Sequence, residues 1–107
     1  MKKLVLISAY FGVFPKYFKL WLKSAEKNGA TDFLIYSDCN TAEYEPLPKN
    51  VKIKNITFTE LQTLFQNSFD FKIVLNSPYK LCDYKPAYGY VFKDDLKNYE
   101  YWGHIDI

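Results

Sequence analysis

Leu4-Val5-Leu6-Ile7-Ser8-Ala9, followed by Tyr10-Phe11-Gly12-Val13-Phe14-Pro15, is the stretch that decides the fold. A nearly unbroken apolar run containing Val and Ile predicts a central strand covered on both faces, because a half-exposed strand would alternate with polar residues. Gly12 then permits a backbone turn, and Pro15 suits the first turn of a helix. Beyond it, Phe18, Trp21, Leu22 and Ala25 recur at the i, i+3, i+4, i+7 spacing of one buried helical face. Lys16, Lys19, Lys23 and Lys27 fill the rest, and Asn28-Gly29 supplies the stop.

The alternation of strand and helix continues outward from there. Phe33 to Ser37 reads as a second buried strand ending at Asp38, and Cys39 to Asn50 as a polar, proline-containing loop. Val51 to Phe58 predicts a half-exposed third strand, with Val51 and Ile53 alternating against Lys52 and Lys54. Thr59, with Gln62 three residues on, has the form of a capping box and predicts a helix whose Leu61, Leu64 and Phe65 face inward. Phe69 to Leu75 is an apolar run of strand type lying between two helix signals. Ser77-Pro78 predicts another helix, with Leu81, Tyr84, Tyr88, Val91 and Phe92 on one face and a kink or break near Lys85 forced by Pro86. Asp94 to Asn98 reads as a polar connection and Tyr101 to Ile107 as the fourth strand. The sum is a single α/β domain over residues 1–107, with a Rossmann-like, mainly parallel sheet and flanking helices. Ligands of such sheets bind beyond the carboxyl ends of the strands, where Tyr10, Asp38 and Asp106 all fall.

Composition narrows the partners. A net charge of +2 on scattered lysines does not make a nucleic-acid surface. No stretch is long enough to span a membrane. Met1-Lys2-Lys3 and the apolar run to Phe14 resemble a signal peptide only superficially: Ser8, Tyr10 and Gly12 interrupt it and no cleavage site follows, so a buried strand explains it better. Cys39 and Cys82 are too few for a disulfide framework and are expected as thiols in a cytoplasmic protein, Cys82 in the core. Aromatic residues at 20% fit either a ring-lined cleft or a compositional bias, and the bias reading is supported by basic residues that are all Lys. With no Arg, a phosphate would be met by Lys, backbone N–H groups or a metal.

The chemistry concentrates in Tyr101-Trp102-Gly103-His104-Ile105-Asp106-Ile107. Asp106-Ile107 forms the first two-thirds of an Asp-x-Asp motif. Its two carboxylates project the same way from a strand and hold Mg²⁺ or Mn²⁺ against a diphosphate. A lone Asp at a strand end is also an ordinary turn residue. His104 should share the face of Asp106. Without metal-ligand partners or a nearby nucleophile, it is better read as a packed, hydrogen-bonded support for Asp106 than as a catalytic base. Lys80 and Asp83 are one helical turn apart, as either an exposed ion pair or a ligand-facing pair. Lys85, where Pro86 frees backbone groups, is either a ligand contact or a solvated lysine.

Taken together, these segments resemble a family of bacterial GT-A-type glycosyltransferases, uncharacterised or grouped with polysaccharide biosynthesis. The resemblance runs through Ser8-Ala9-Tyr10-Phe11-Gly12 with Pro15, Phe18 and Trp21-Leu22, through Asp70-Phe71-Lys72, through Ser77 to Gly89, and through the tail. It implies the N-terminal nucleotide-binding half of a GT-A fold and a nucleoside-diphosphate sugar as ligand. Ala9 and Tyr10 would border the nucleobase, Asp38 would reach the base or ribose, and Lys80 and Asp83 would approach the nucleotide, with Lys85 and His104 near it. Asp106 would be the first metal carboxylate, for Mn²⁺ or Mg²⁺. The second carboxylate, the glycan acceptor site and a catalytic base would lie in a longer protein, so these 107 residues alone are expected to lack turnover. The open edge of a shortened sheet would favour a homo-oligomer. The alternative is a non-catalytic Rossmann-like module that binds a ligand or partner.

Overall fold

The computed structural model describes residues 3–107. Met1 and Lys2, the head of the signal-peptide-like run, lie outside the described residues. Strands β1 (Leu4–Tyr10), β2 (Thr31–Ser37), β3 (Val51–Asn55) and β4 (Tyr101–His104) form one sheet in the order β3-β2-β1-β4. Every pairing is parallel, so the expected α/β, Rossmann-like sheet is parallel throughout. Helix α1 (Phe18–Lys27) covers one face. The other face carries α2 (Phe58–Asn67), a 3₁₀ helix (Pro78–Ala87) and the short α3 (Tyr88–Val91) and α4 (Lys93–Leu96).

Register explains the sequence pattern. Val5 and Ile7 lie with Leu34 and Tyr36 in the core under α2 and α3. Phe33, Ile35 and Val51 point the other way, against Phe18, Leu22 and Ala25 of α1. Strands β1 and β2 therefore bury both faces and read as continuous apolar runs. On the edge strand β3, Lys52 and Lys54 are exposed and the alternation shows. The buried Asn50 amide ties α1 to this edge by donating to the carbonyls of Ala25, Thr31 and Asn28 at 2.8, 3.0 and 3.2 Å. It thereby adds a side-chain donor to carbonyls at the end of α1 and to the first carbonyl of β2.

Several elements differ from the sequence reading. Pro15 accepts a turn hydrogen bond from Phe18, and the helix proper begins at Phe18. The capping box is Thr57 with Glu60, not Thr59 with Gln62, so β3 stops at Asn55 and Phe58 joins α2. Both spacings occur in the sequence, but a Glu carboxylate gains from the helix N-terminal dipole where a Gln amide does not. Residues 69–75 are neither strand nor helix. Their backbone groups are satisfied by side chains instead: Gln62 donates to the Leu75 carbonyl, Gln66 bonds both Phe71 and Ile73, and the Tyr84 hydroxyl bonds both polar groups of Val74. The helix expected from Ser77 is a 3₁₀ helix through Pro86, followed by two short α turns. Pro86 lacks the N–H that an α-helical ladder needs. The connection expected at Asp94–Asn98 is partly helical, and it buries Leu96. Cys82 is exposed, not in the core, because the 3₁₀ winding turns it outward.

Strand β4 docks on α3 through a missing side chain. A β-carbon on Gly89 would lie within 2.5 Å of the Trp102 indole ring. We expect Gly89→Ala to destabilise the protein by about 1–3 kcal/mol through overpacking, measured as a lower urea midpoint, and Trp102→Ala to remove most of that penalty in the double variant. An additive double variant would show that the two residues do not meet.

A second constraint joins β2, β3 and α4. The Asp95 carboxylate accepts from Lys54 at 2.7 Å and from the buried Tyr36 hydroxyl. Burial pushes Asp95 up, but the hydrogen bonds from Lys54 and Tyr36 outweigh it and hold the carboxyl below its usual range. A depressed native pKa contributes stability above the unfolded value, about 3.9, and loses it as pH falls through the native value. The unfolding midpoint should therefore drop on acidification below about pH 4, and Asp95→Asn should flatten that limb. An unchanged acid limb in the variant would remove Asp95 from the account.

Candidate functional site

The strand order reverses beside β1: the chain steps from β1 to β2 to β3 on one side, and β4 returns to the other. The crevice at the carboxyl ends of β1 and β4 is where an open parallel sheet binds its ligands. Two polar arrangements stand on that rim.

The first is built by Asp106. Beyond β4, Ile105 N–H still donates to the Ile7 carbonyl at 3.0 Å. The backbone then leaves the ladder toward α1, so the strand expected to run to Ile107 ends at His104. Trp21 Nε1 donates to the Asp106 carbonyl at 3.3 Å and the Tyr17 hydroxyl to the Ile107 carbonyl at 2.9 Å. Alternation sends Ile105 and Ile107 to the α1 side, where both pack on the apolar cluster. Trp102, His104 and Asp106 face the opposite layer. There the Asp106 carboxylate meets Lys85 Nζ at 2.6 Å. The hydrogen bond to Asp106 holds the Lys85 ammonium above the usual lysine range. Burial, then Cys82 and Asp106, pushes the neighbouring Tyr88 hydroxyl up to about 12, so it stays protonated and neutral at physiological pH.

His104 does not fill the supporting role expected of it. It is exposed, its ring stands edge-on to Tyr88 at 6.5 Å, and among the described residues the partner of the Asp106 carboxylate is Lys85. A lysine reaching in from the facing helix takes that position. Lys80 and Asp83 form an exposed ion pair at 3.4 Å.

The second arrangement lies across β1. Asp38, just past β2, accepts a hydrogen bond from Gly12 N–H at 2.9 Å, and Gly12 sits at φ +100°. That conformation suits glycine, so Asp38 and Gly12 together shape the β1–α1 loop. Tyr10 stacks on Phe14 with centroids 5.7 Å apart, and its carbonyl accepts from Cys39 Sγ. Ala9 is half-buried against the other core. A cavity of about 250 Å³ opens beside this loop, lined by Gly12, Phe14, Asn40, Glu43 and Tyr44. A larger one of about 410 Å³ opens at the opposite end of the sheet, among Asp32, Lys49, Lys52, Lys54 and Tyr99. It is away from the strand carboxyl ends, and its lysine at 54 is already paired with Asp95.

Sequence reasoning missed the role of Trp21, which read as a helix-face residue, and did not single out Tyr17; both hold the backbone of the tail. It also missed the pairing of Lys85 with Asp106, separated by 21 positions. Among the described residues no three His, Cys, Asp or Glu side chains converge to hold a metal ion. Asp106 is a single exposed carboxylate. That suits Mg²⁺ or Mn²⁺ in the mode where one or two carboxylates share the ion with phosphate oxygens and water, and not an all-protein cage.

Fold and rim together define a Rossmann-like α/β protein with a charged pair at its topological switch. The chain belongs to DUF6625, a family of unknown function, whose model matches residues 6–107. No curated protein and no solved structure matches it. Among the described residues no helix is long and apolar enough to cross a membrane.

Asp38→Ala should cost about 1 kcal/mol and speed amide exchange at Gly12, while Asp38→Asn, which keeps an acceptor, should protect that amide nearly as well. Equal exchange in all three proteins would detach Asp38 from the loop.

Proposed function

We propose that this chain is the nucleotide-sugar-binding portion of a metal-dependent glycosyltransferase acting in bacterial glycan synthesis in the cytoplasm. The observation that carries the reading is the Lys85–Asp106 pair at the carboxyl-end switch point of a parallel sheet. A diphosphate brings negative charge, and this rim offers an ammonium for its oxygens and a carboxylate able to share a cation with them. The resemblance of Lys80–Gly89 and of the tail to GT-A-type transferases supports the same assignment.

On this reading the β1–α1 loop, with Ala9, Tyr10 and Asp38, borders the base and ribose. Asp38 keeps one carboxylate oxygen for the ligand while the other holds Gly12. Lys85 donates to the diphosphate, and Asp106 supplies one carboxylate to a divalent ion. When bound, that ion supplies positive charge where the leaving diphosphate develops its own. Lys80, Asp83 and His104 stand further out, as charged and polar flanks of the same rim. The glycan acceptor approaches from the solvent side of the pair.

Titration calorimetry of the protein with UDP- and GDP-sugars should give a binding heat that requires Mn²⁺. Asp106→Asn should weaken that binding about tenfold or more, the scale of a lost charged contact. A protein that binds no nucleotide sugar in the presence of Mn²⁺ would reject the reading and favour a non-catalytic ligand- or partner-binding module.

A further inference from the structure

Resting on the donor-binding reading above, we propose that Lys85 is a tethered counter-cation: it neutralises Asp106 in the empty site and gives that carboxylate up when a divalent ion and a nucleoside diphosphate enter together, transferring its own hydrogen bonds to the diphosphate. The same lysine then opposes the ion alone and favours the ion with its diphosphate.

Three observations carry this. The contact is short, 2.6 Å, and it is made to a carboxylate that is otherwise open: the Asp106 side chain is 81% exposed and that of Lys85 only 23%. The ammonium is thus held inward at the site, with the carboxylate on its solvent side. The backbone around Asp106 is anchored at successive residues, through Ile105 N–H to Ile7, Trp21 to the Asp106 carbonyl and Tyr17 to the Ile107 carbonyl. Lys85 instead holds its charge at the end of a four-carbon stem. Of the two partners, the lysine has the longer reach to a second acceptor. These 107 residues also contain no Arg, so the cation they bring to a diphosphate at this rim is the point charge of a lysine.

The physical consequence is a pair of opposite signs. A cation entering the empty site must displace an ammonium from Asp106, and the displaced ammonium remains nearby as a like charge. Once a diphosphate is present, the displaced ammonium gains acceptors of opposite charge, and the penalty becomes a gain.

The test compares the wild-type protein with Lys85→Met and Lys85→Arg, each checked for an unchanged circular dichroism spectrum and unfolding midpoint. Binding of Mn²⁺ alone is read by the electron paramagnetic resonance signal of the free ion, and binding of UDP and GDP at saturating Mn²⁺ by calorimetry. Lys85→Met should tighten Mn²⁺ alone about two- to fivefold, the worth of a part-exposed ion pair. It should weaken the nucleoside diphosphate about ten- to a hundredfold, the worth of a charge-assisted hydrogen bond. Lys85→Arg, which keeps the charge, should leave Mn²⁺ binding near wild type and retain most of the diphosphate affinity. Mn²⁺ affinity that is unchanged or lower in Lys85→Met would overturn the proposal while wild-type binding of Mn²⁺ with the diphosphate left the donor-site reading standing. A wild-type protein that binds neither would overturn both.

Discussion

The approach of the Trp102 indole to the backbone of Gly89 is the contact on which the rim of this sheet depends. Edge strand β4 is short, and its ladder with β1 covers only Leu4 to Ile7. What fixes its second face is the layer beneath, and the indole can lie there only because residue 89 has no β-carbon. Once Trp102 is seated, strand alternation carries His104 and then Asp106 onto the same face. The opposing chain runs back from Gly89 through Tyr88 to Lys85. Lys85 and Tyr88 are three residues apart, and the Tyr88 N–H, closing on the Lys85 carbonyl as the cap of the 3₁₀ helix, keeps them along one side. Packing of an indole ring on bare backbone thus sets the meeting of two charges further along the same pair of elements.

The 3₁₀ winding of Pro78–Ala87 matters for the same reason. An α-helix over this segment would rotate successive side chains by a different angle and carry Lys85 away from the line through Tyr88. Pro86 forbids the α-helical ladder at this place, and Tyr84 pins the segment to the irregular chain before it through Val74. Residues 69–75, which have no regular structure, are held by Gln62 and Gln66 of α2. The loop is the anchor for the helix that delivers Lys85.

Much of this was legible in the sequence, and the boundary is physical. The apolar runs of β1 and β2, the periodicity of α1 and the strand character of Tyr101 onward follow from burial patterns within short windows. The positions of Tyr10, Asp38 and Asp106 at one edge follow from parallel strands, which bring all their carboxyl ends together. The capping box was ambiguous because two overlapping spacings met the same rule, and only the stronger acceptor decided between them. The segment before Ser77 was illegible because its partners are glutamine side chains on another element. Lys85 was singled out for the proline beside it, yet its partner could not be named: the pairing depends on how Gly89 seats Trp102, a long-range packing event with no local signature. His104 was misassigned for the converse reason, since shared strand parity with Asp106 guarantees a common face but not a contact.

Among the described residues, two of the Lys–Asp pairs differ in kind, and the difference separates framework from site. Lys54 meets Asp95 at 2.7 Å and Lys85 meets Asp106 at 2.6 Å. The lysine contacts are nearly equal, so distance does not distinguish them. The remaining carboxylate oxygen does. On Asp95 it accepts from the buried hydroxyl of Tyr36, whose ring stacks on Phe92 in the core, so removing the lysine would still leave the carboxylate committed to the fold. On Asp106 the carboxylate faces solvent, and Lys85 is the neighbour that the fold brings to it. A charged pair whose acceptor is fully used inside the protein can only hold structure together. One whose acceptor is half open retains the capacity to exchange its partner, and the sheet has placed that pair at its switch point.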